Sequence, residues 1–500
     1  MKNFYRKYPK TVILAASLCI IYLILLIPFR NTYQIHKGSG KPFIWNQDSL
    51  WKNLENEFWE AKMSGRVKIQ KRINSLLKSS ELLLNEISQK PLQPTNEKFS
   101  ILEKQLFETA PLIPTCSDRF KDYINFYSRL REVVKEQSRN WDMNSSEAKN
   151  TIYRLLYGNR TAIEEIMLQL PSDKMDILIN GVDEPSQTPS SKILGVEVHS
   201  GDILVSRGGA PTSALIARGS DYPGNFSHIA LVHIAENDKT ISIIESHIER
   251  GVVISSLDEY LKDKKLRIMV LRIRQDLIMN DPMIPHKAAT YALENAKAKH
   301  IPYDFEMNIS ESKKQFCSEV ASSAYKKFGI NLWTGISNIS SYGTRNWLSA
   351  FGVKYFQTEE PSDLEYDPQL SVVAEWRDPE TLYQDHLDNA VTDVMLEDAD
   401  NGEVLSYDWY LLPIGRTAKM YSLILNLFGD AGPVPEGMSP EAALKNKKYS
   451  ENHELIKNKL VELAEDFEVE KSYRPPYWKL VELGREARDL LINYKDIDSN

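Results

Sequence analysis

The chain has 500 residues, 42% of them hydrophobic, which leaves room for roughly two to four domains and a sizeable core. A net charge of -8 and a pI near 5.8, with Lys and Arg spread along the chain rather than gathered in a stripe, exclude nucleic acid as an expected partner. Three cysteines exclude a disulfide scaffold: Cys19 lies in an apolar run, so Cys116 and Cys317 are the only pair available to a disulfide outside it.

Residues 1–10 form a short basic N-terminus with Lys2, Arg6, Lys7 and Lys10. Thr11 to Phe29 is an uncharged run of nineteen residues. At about 1.5 Å per residue it just crosses a hydrocarbon core of roughly 30 Å, which predicts a transmembrane helix over 11–29. The run ends in Ile27, Pro28 and Phe29, followed by Arg30, with no small residues to make a cleavage site, so an uncleaved anchor is expected. The positive residues before the run, against Arg30, Lys37 and Lys41 after it, favour a cytoplasmic N-terminus and an exported large domain.

From Asn46 to about Ile87, then from Ile101 through Tyr123, Phe126 and Leu130 to Leu170, apolar residues recur at three- and four-residue steps. Residues 46–180 therefore read as a helical stalk or bundle. The Pro- and Ser-rich stretch 181–195 suits a solvated linker. After it the period changes, with short β-branched runs at 201–206, 227–234, 240–248 and 266–273, then helices at 285–299 and 317–328, the second stopped by Gly329. This predicts an α+β domain over 196–335.

Residues 336–500 read as a mixed, mainly helical region. Val394 to Leu396 and Val404 to Trp409 flank the turn-forming 398–402 and predict a hairpin. The acidic turn does not fit a calcium loop, because Trp409 stands where the twelfth-position glutamate belongs. Helices are expected at 417–427 and 440–494, broken around Pro475 and Pro476.

Two stretches carry chemistry. His228 opens an apolar strand, and alternation puts it on one side with Ala230 and Val232 while His233 points away. The next strand places Ile243, Glu245 and His247 on a common face, offering a carboxylate and a second imidazole to orient His228; pattern alone does not choose between them. Cys317 opens a helix whose Val320, Ala321, Ala324 and Tyr325 are spaced for burial, and unsatisfied N–H groups at a helix start favour a thiolate. Six of the nine histidines fall between His199 and His300, yet no His-Glu-x-x-His helix or Cys-x-x-Cys pair occurs, so no metal or cofactor is expected. Walker loop, serine nucleophile elbow and dinucleotide fingerprint are also lacking, and Ser206 to Ala210 reads as a cleft loop. A glycosylation sequon at Asn225 stands beside His228.

Gly201-Asp202-Ile203, Ser227-His228 with Ala230 and Val232, Ile244-Glu245 followed by Gly251-Val252, Tyr303-Asp304-Phe305 and Cys317-Ser318-Glu319-Val320 occur in that order. Together they resemble the permuted papain-fold cysteine hydrolases of the NlpC superfamily, YiiX/YebB-like group, over about 201–328. The resemblance implies a circularly permuted papain-like domain flanked by helical regions. It also implies a Cys317 nucleophile, a His228 base and a Glu245 orienter, with Tyr303 as an oxyanion aid; His247, two residues on along the same strand face, is a departure from that pattern and the alternative orienter. Taken with the 11–29 anchor, the function expected is a membrane-anchored thiol hydrolase acting on an amide or ester, in cell-wall peptide or lipid-linked material, on the outer side of a bacterial inner membrane. A thiol acyltransferase and a catalytically idle scaffold at the membrane are the alternatives.

Overall fold

The computed structural model describes residues 9–27, 40–45, 47–171, 175–311, 313–428 and 430–498. Helix α1 spans Pro9–Leu25, 17 residues. Among the described residues no helix is long and apolar enough to cross a membrane, and the end of the expected 11–29 span lies outside them.

Helices α2 (Gln47–Met63), α3 (Arg66–Ser88), α4 (Glu97–Thr109), α5 (Phe120–Ser138), α6 (Ser146–Ile152) and α7 (Gly158–Gln169) close on a core that includes Ile73, Leu102, Tyr123, Leu130 and Leu156. That core runs on into Tyr366 and Leu382, so these helices are a bundle docked on the rest of the chain rather than a free-standing stalk.

Strands β1 (Leu178–Asn180), β2 (Ser190–Ile193), β3 (Val196–His199) and β4 (Ile203–Gly208) follow, then helix α8 (Pro211–Arg218). The segment 181–195 is not a solvated linker. Gly181 and Val182 donate backbone hydrogen bonds to Val373 and Val372 at 2.8 and 2.9 Å, and a β-carbon on Gly181 would meet the Val372 carbonyl oxygen at 2.0 Å. Its prolines and serines flank a short β2–β3 hairpin instead of marking disorder.

Strands β5 (His228–Ile234), β6 (Ile241–His247) and β7 (Gly251–Ser255), helix α9 (Leu257–Lys262) and strand β8 (Lys265–Ile273) join the later strand β11 (Leu370–Trp376) in a seven-stranded antiparallel sheet, order β1-β11-β8-β4-β5-β6-β7. Helices α10 (Ile284–Ala298) and α11 (Cys317–Lys326) cover one face, over Ile203, Val205, Ile229, Leu231 and Ile244. The opposite residues Leu204, Ala230, Val232, Ile243 and Val270 meet Tyr260 and the β2–β3 hairpin. Period-two burial on both faces is why these runs are rich in Val and Ile.

Beyond α11 come β9 (Ser337–Asn338), α12 (Tyr342–Phe351), β10 (Gln357–Thr358) and β11 (Leu370–Trp376). Helix α13 (Pro379–Asp400) replaces the expected 394–409 hairpin. Asp378 caps its start by accepting from Glu380 N–H and Thr381 N–H, and Gly402, at φ +99°, follows its end. Asn401 and Gly402 thus terminate a helix, the other use of the dipeptide that turns a hairpin. Helices α14 (Leu412–Leu427), α15 (Pro440–Lys471) and α16 (Tyr477–Asp498) finish the chain, α13, α15 and α16 sharing a core around Val391, Tyr449 and Leu480.

Buried charge ties the parts together. Glu164 of α7 pairs with Arg160 and, at 3.0 Å, with Arg267 of β8, which also binds Asp385 of α13. Arg207 of β4, fully buried, pairs with Asp385 at 3.1 Å, so the expected cleft loop at 206–210 is instead the end of a strand. Arg131 of α5 reaches Glu375 of β11 at 2.6 Å.

Candidate active site

The site begins where β5 begins. Ser227 N–H donates to Ser206 O at 3.0 Å and His228 stands opposite Ser206, which fixes the strand's register at its first residue. Ile229 and Leu231 then face α10 and α11, and Ala230 and Val232 the other side. Glu245 lies opposite Ala230, which brings its carboxylate under the imidazole of His228. The His228 Nε2 to Glu245 Oε2 distance is 2.7 Å. The second carboxylate oxygen accepts from Ser255 Oγ at 2.7 Å and has His247 Nε2 at 3.1 Å, near enough for charge but poorly angled for a hydrogen bond. The rings of His228 and His247 are 5.7 Å apart, so Glu245 is the direct partner of His228 and His247 stands against Glu245.

Cys317 is the first residue of α11. Glu319 reaches back to accept from Phe316 N–H at 2.9 Å, and Tyr325, one face of the helix further on, donates to Gly201 O at 2.6 Å. Gly201 takes φ +99° against Pro285, where a β-carbon would come within 2.3 Å, and Asp202 accepts from Arg272 at 2.8 Å. The segment before the cysteine is clamped to β6 by Ser246 Oγ, which donates to Gln315 O at 2.7 Å. The sulfur comes to rest 4.0 Å from Ser227 O, with the N–H groups of Ile229 and Ser318 directed at it. It therefore meets the strand on both sides of His228.

Burial sets the protonation states. Cys317 is 6% exposed, and desolvation pushes its thiol up to about 11 although the Ile229 and Ser318 hydrogen bonds pull the other way. The helix start does not by itself make a thiolate here, contrary to the expectation from sequence. Burial also holds His228 below its ordinary value, outweighing the Glu245 hydrogen bond. For Glu245 burial acts upward, but the hydrogen bond from His228 and the nearby His247 ring prevail and hold the carboxyl well below the usual carboxylate range. The resting arrangement is a neutral thiol, a neutral imidazole and an ionised carboxylate.

Residues 197–374 match the family model of the permuted papain-like amidase enzymes, YaeF/YiiX, C92 family. Neither a curated protein nor a solved structure matches the chain. The C92 match runs from within β3 to within β11, and takes in Cys317, His228, Glu245, His247, Tyr303 and Ser255.

Tyr303 is half-buried, and its phenol is pushed well above the ordinary range by burial and by the nearby Cys317. It also lines a pocket of about 340 Å³ with Phe305, Lys314, Phe351, Leu405 and Lys445. Neither Cys317 nor His228 lines that pocket, but Tyr303, whose phenol feels the charge of a Cys317 thiolate, does. Leu405 and Lys445 come from beyond the C92 match.

His228, Glu245 and His247 also form a set whose ligand atoms lie within 4.8 Å of one another, two imidazoles and a carboxylate of the kind zinc accepts. Ser255 was not found from sequence: it sits at the end of β7 with no motif around it, and only sheet register brings it to Glu245. Asn225 of the sequon is buried at 3% exposure. Cys116 and Cys317 are both free and buried.

Proposed function

We propose that the chain is a thiol hydrolase that cleaves an amide bond through Cys317, His228 and Glu245. The observation that carries this reading is the hydrogen bond between His228 Nε2 and Glu245 Oε2 beside a helix-opening cysteine. With Nε2 engaged, Nδ1 is the nitrogen left for the thiol proton. As Cys317 Sγ attacks the carbonyl carbon, His228 accepts its proton, and Glu245 stabilises the imidazolium that forms. The tetrahedral intermediate collapses as His228 returns the proton to the leaving amine. Water, deprotonated by the same imidazole, then releases the acyl group. The N–H groups at the start of α11, with the Tyr303 hydroxyl, stabilise the oxyanion. His247 supports the charge on Glu245.

The apolar run 11–29 supports a membrane-held enzyme with the large domain outside the cytoplasm, which makes cell-wall peptide or a lipid-linked amide the substrate class. The test is trapping of an acyl-enzyme on Cys317 with a panel of amide and ester probes, followed by mass spectrometry. Acylation at Cys317 that clears in water alone supports a hydrolase; an acyl-enzyme that clears only with an added amine or alcohol assigns an acyltransferase. Absence of acylation with function intact in Cys317→Ala overturns the thiol reading.

A further inference from the structure

Helix α14 is built inside out. Leu412, Pro413, Gly415 and Ser422 are buried against the protein, Gly415 packing on Leu444 and Ser422 on Gly432. Ile414, Met420, Tyr421, Leu423, Ile424, Leu427 and then Phe428 point outward, Leu427 at 84% and Phe428 at 79% exposure. Trp409 and Tyr410 add two exposed aromatic rings at its start. A surface helix in water presents the reverse pattern, so an apolar medium or partner belongs over this face.

Helix α1 says which. Ile20, Ile21, Tyr22, Leu23 and Ile24 are five consecutive exposed residues, more than a full helical turn, so α1 is apolar on every side. A helix of that kind is covered on all sides, as a bilayer does and a groove on one partner does not. Helix α14 is joined to it: Tyr22 Oη donates to Tyr410 O at 3.0 Å, and Arg416 donates to Leu25 O and Ile27 O at 2.9 and 2.6 Å. Arg416 thus satisfies the open carbonyls at the C-terminal end of α1, which marks that end as the polar boundary of the apolar helix. The outward face of α14 begins at the same level. Tyrosine and tryptophan at such a level, with an apolar face beside them, are the signature of a helix lying at the headgroup and acyl boundary.

We infer that the α14 face, from Trp409 to Phe428, is a bilayer-docking surface that seats the protein on the membrane beside α1. Docking requires insertion to the acyl boundary and not a crossing. Lys419 of α14 donates to Pro435 O at 2.6 Å and also binds Glu436 O, and the next residue, Gly437, lines the Tyr303 pocket and touches the Phe305 ring. The membrane-seated face therefore holds one wall of the pocket. This deepens the proposed function, on whose thiol chemistry it rests, by making the substrate an amide carried on a membrane amphiphile.

The experiment uses the full chain with phosphatidylcholine–phosphatidylglycerol vesicles whose acyl chains are brominated, and compares tryptophan quenching in the parent and in Trp409→Phe. The expected result is quenching that is markedly reduced in Trp409→Phe, and reduced again in the parent background by the pair Leu427→Ser and Phe428→Ser. Equal quenching of parent and Trp409→Phe on vesicle-bound protein overturns the proposal. Protection of Trp409 from iodide that grows with protein concentration in the absence of lipid overturns it in favour of a second copy. Alkylation of Cys317 by iodoacetamide, measured in parallel, tests the thiol chemistry independently of the membrane result.

Discussion

Glu245 receives His228 on one carboxylate oxygen and Ser255 on the other, each at 2.7 Å, inside a sheet that leaves the carboxylate 1% exposed. Both lone-pair directions that matter are occupied, so the imidazole is held in one orientation with Nδ1 free of the carboxylate. Glu245→Gln keeps the volume but loses the charge that stabilises the imidazolium. Turnover of an amide substrate should fall by about 10² to 10⁴ with KM little changed. Ser255→Ala should cost far less, because His228 keeps its partner.

The pH dependence follows from His228. As a base it must be neutral, and burial holds its pKa below the ordinary value of about 6.5. Activity should therefore rise with pH along an acidic limb centred below that value and stay high through neutrality. Glu245 acts to raise the His228 pKa, so in Glu245→Gln the residual activity should have its acidic limb shifted to still lower pH. A pH series of kcat/KM for both proteins measures this.

Alkylation of Cys317 in the free protein should have an alkaline midpoint, above the reference of about 8.5, since burial pushes the thiol up to about 11. Iodoacetamide labelling followed by peptide mass spectrometry distinguishes it from Cys116, whose thiol burial also raises. A midpoint well below neutrality would instead mean a preformed thiolate–imidazolium pair.

Stability should fall on acidification before the carboxylates titrate. His453 is fully buried, and desolvation lowers its pKa to about 4 even though the Asp388 carbonyl oxygen lies 3.2 Å from its ring. With an unfolded value near 6.5, the unfolded chain takes up the proton first. Stability is lost as pH drops from about 6.5 to about 4, by about 3 kcal/mol for this group, and levels off below. Urea midpoints between pH 8 and pH 4, in the parent and in His453→Gln, check the slope.

Glu164 faces Arg160, Arg267 and His386 in the interior. Glu164→Ala leaves Arg160 only Glu365 and Arg267 only Asp385, one buried carboxylate short, and should cost about 3 to 5 kcal/mol. Because the arginines belong to the bundle and to the sheet, both should unfold in one transition at a lower urea midpoint, with helical and tryptophan signals moving together.

The sheet and its covering helices were legible because period-two and helical burial are local signals, and Cys317, His228 and Glu245 fell on the elements that alternation assigned to them. What escaped depended on distant partners. Arg207 looks like part of a glycine-rich loop until Asp385 neutralises it within a strand. Residues 398–402 carry hairpin chemistry, yet Val391 and Met395 are buried with Leu480 and Leu483, which keeps the helix intact as far as Asp400. Which of Glu245 and His247 meets the His228 imidazole needed the ring geometry, since both side chains share one strand face.

Strand β1, only Leu178–Asn180, pairs with β11 and closes that side of the sheet. The 197–374 region taken as a separate polypeptide would lack it, leaving β11 with a bare row of amide and carbonyl groups. Such a fragment should recruit strands from its neighbours and precipitate. The family-matched unit is therefore smaller than the unit that folds, and β1 acts as the cover on an otherwise adhesive edge.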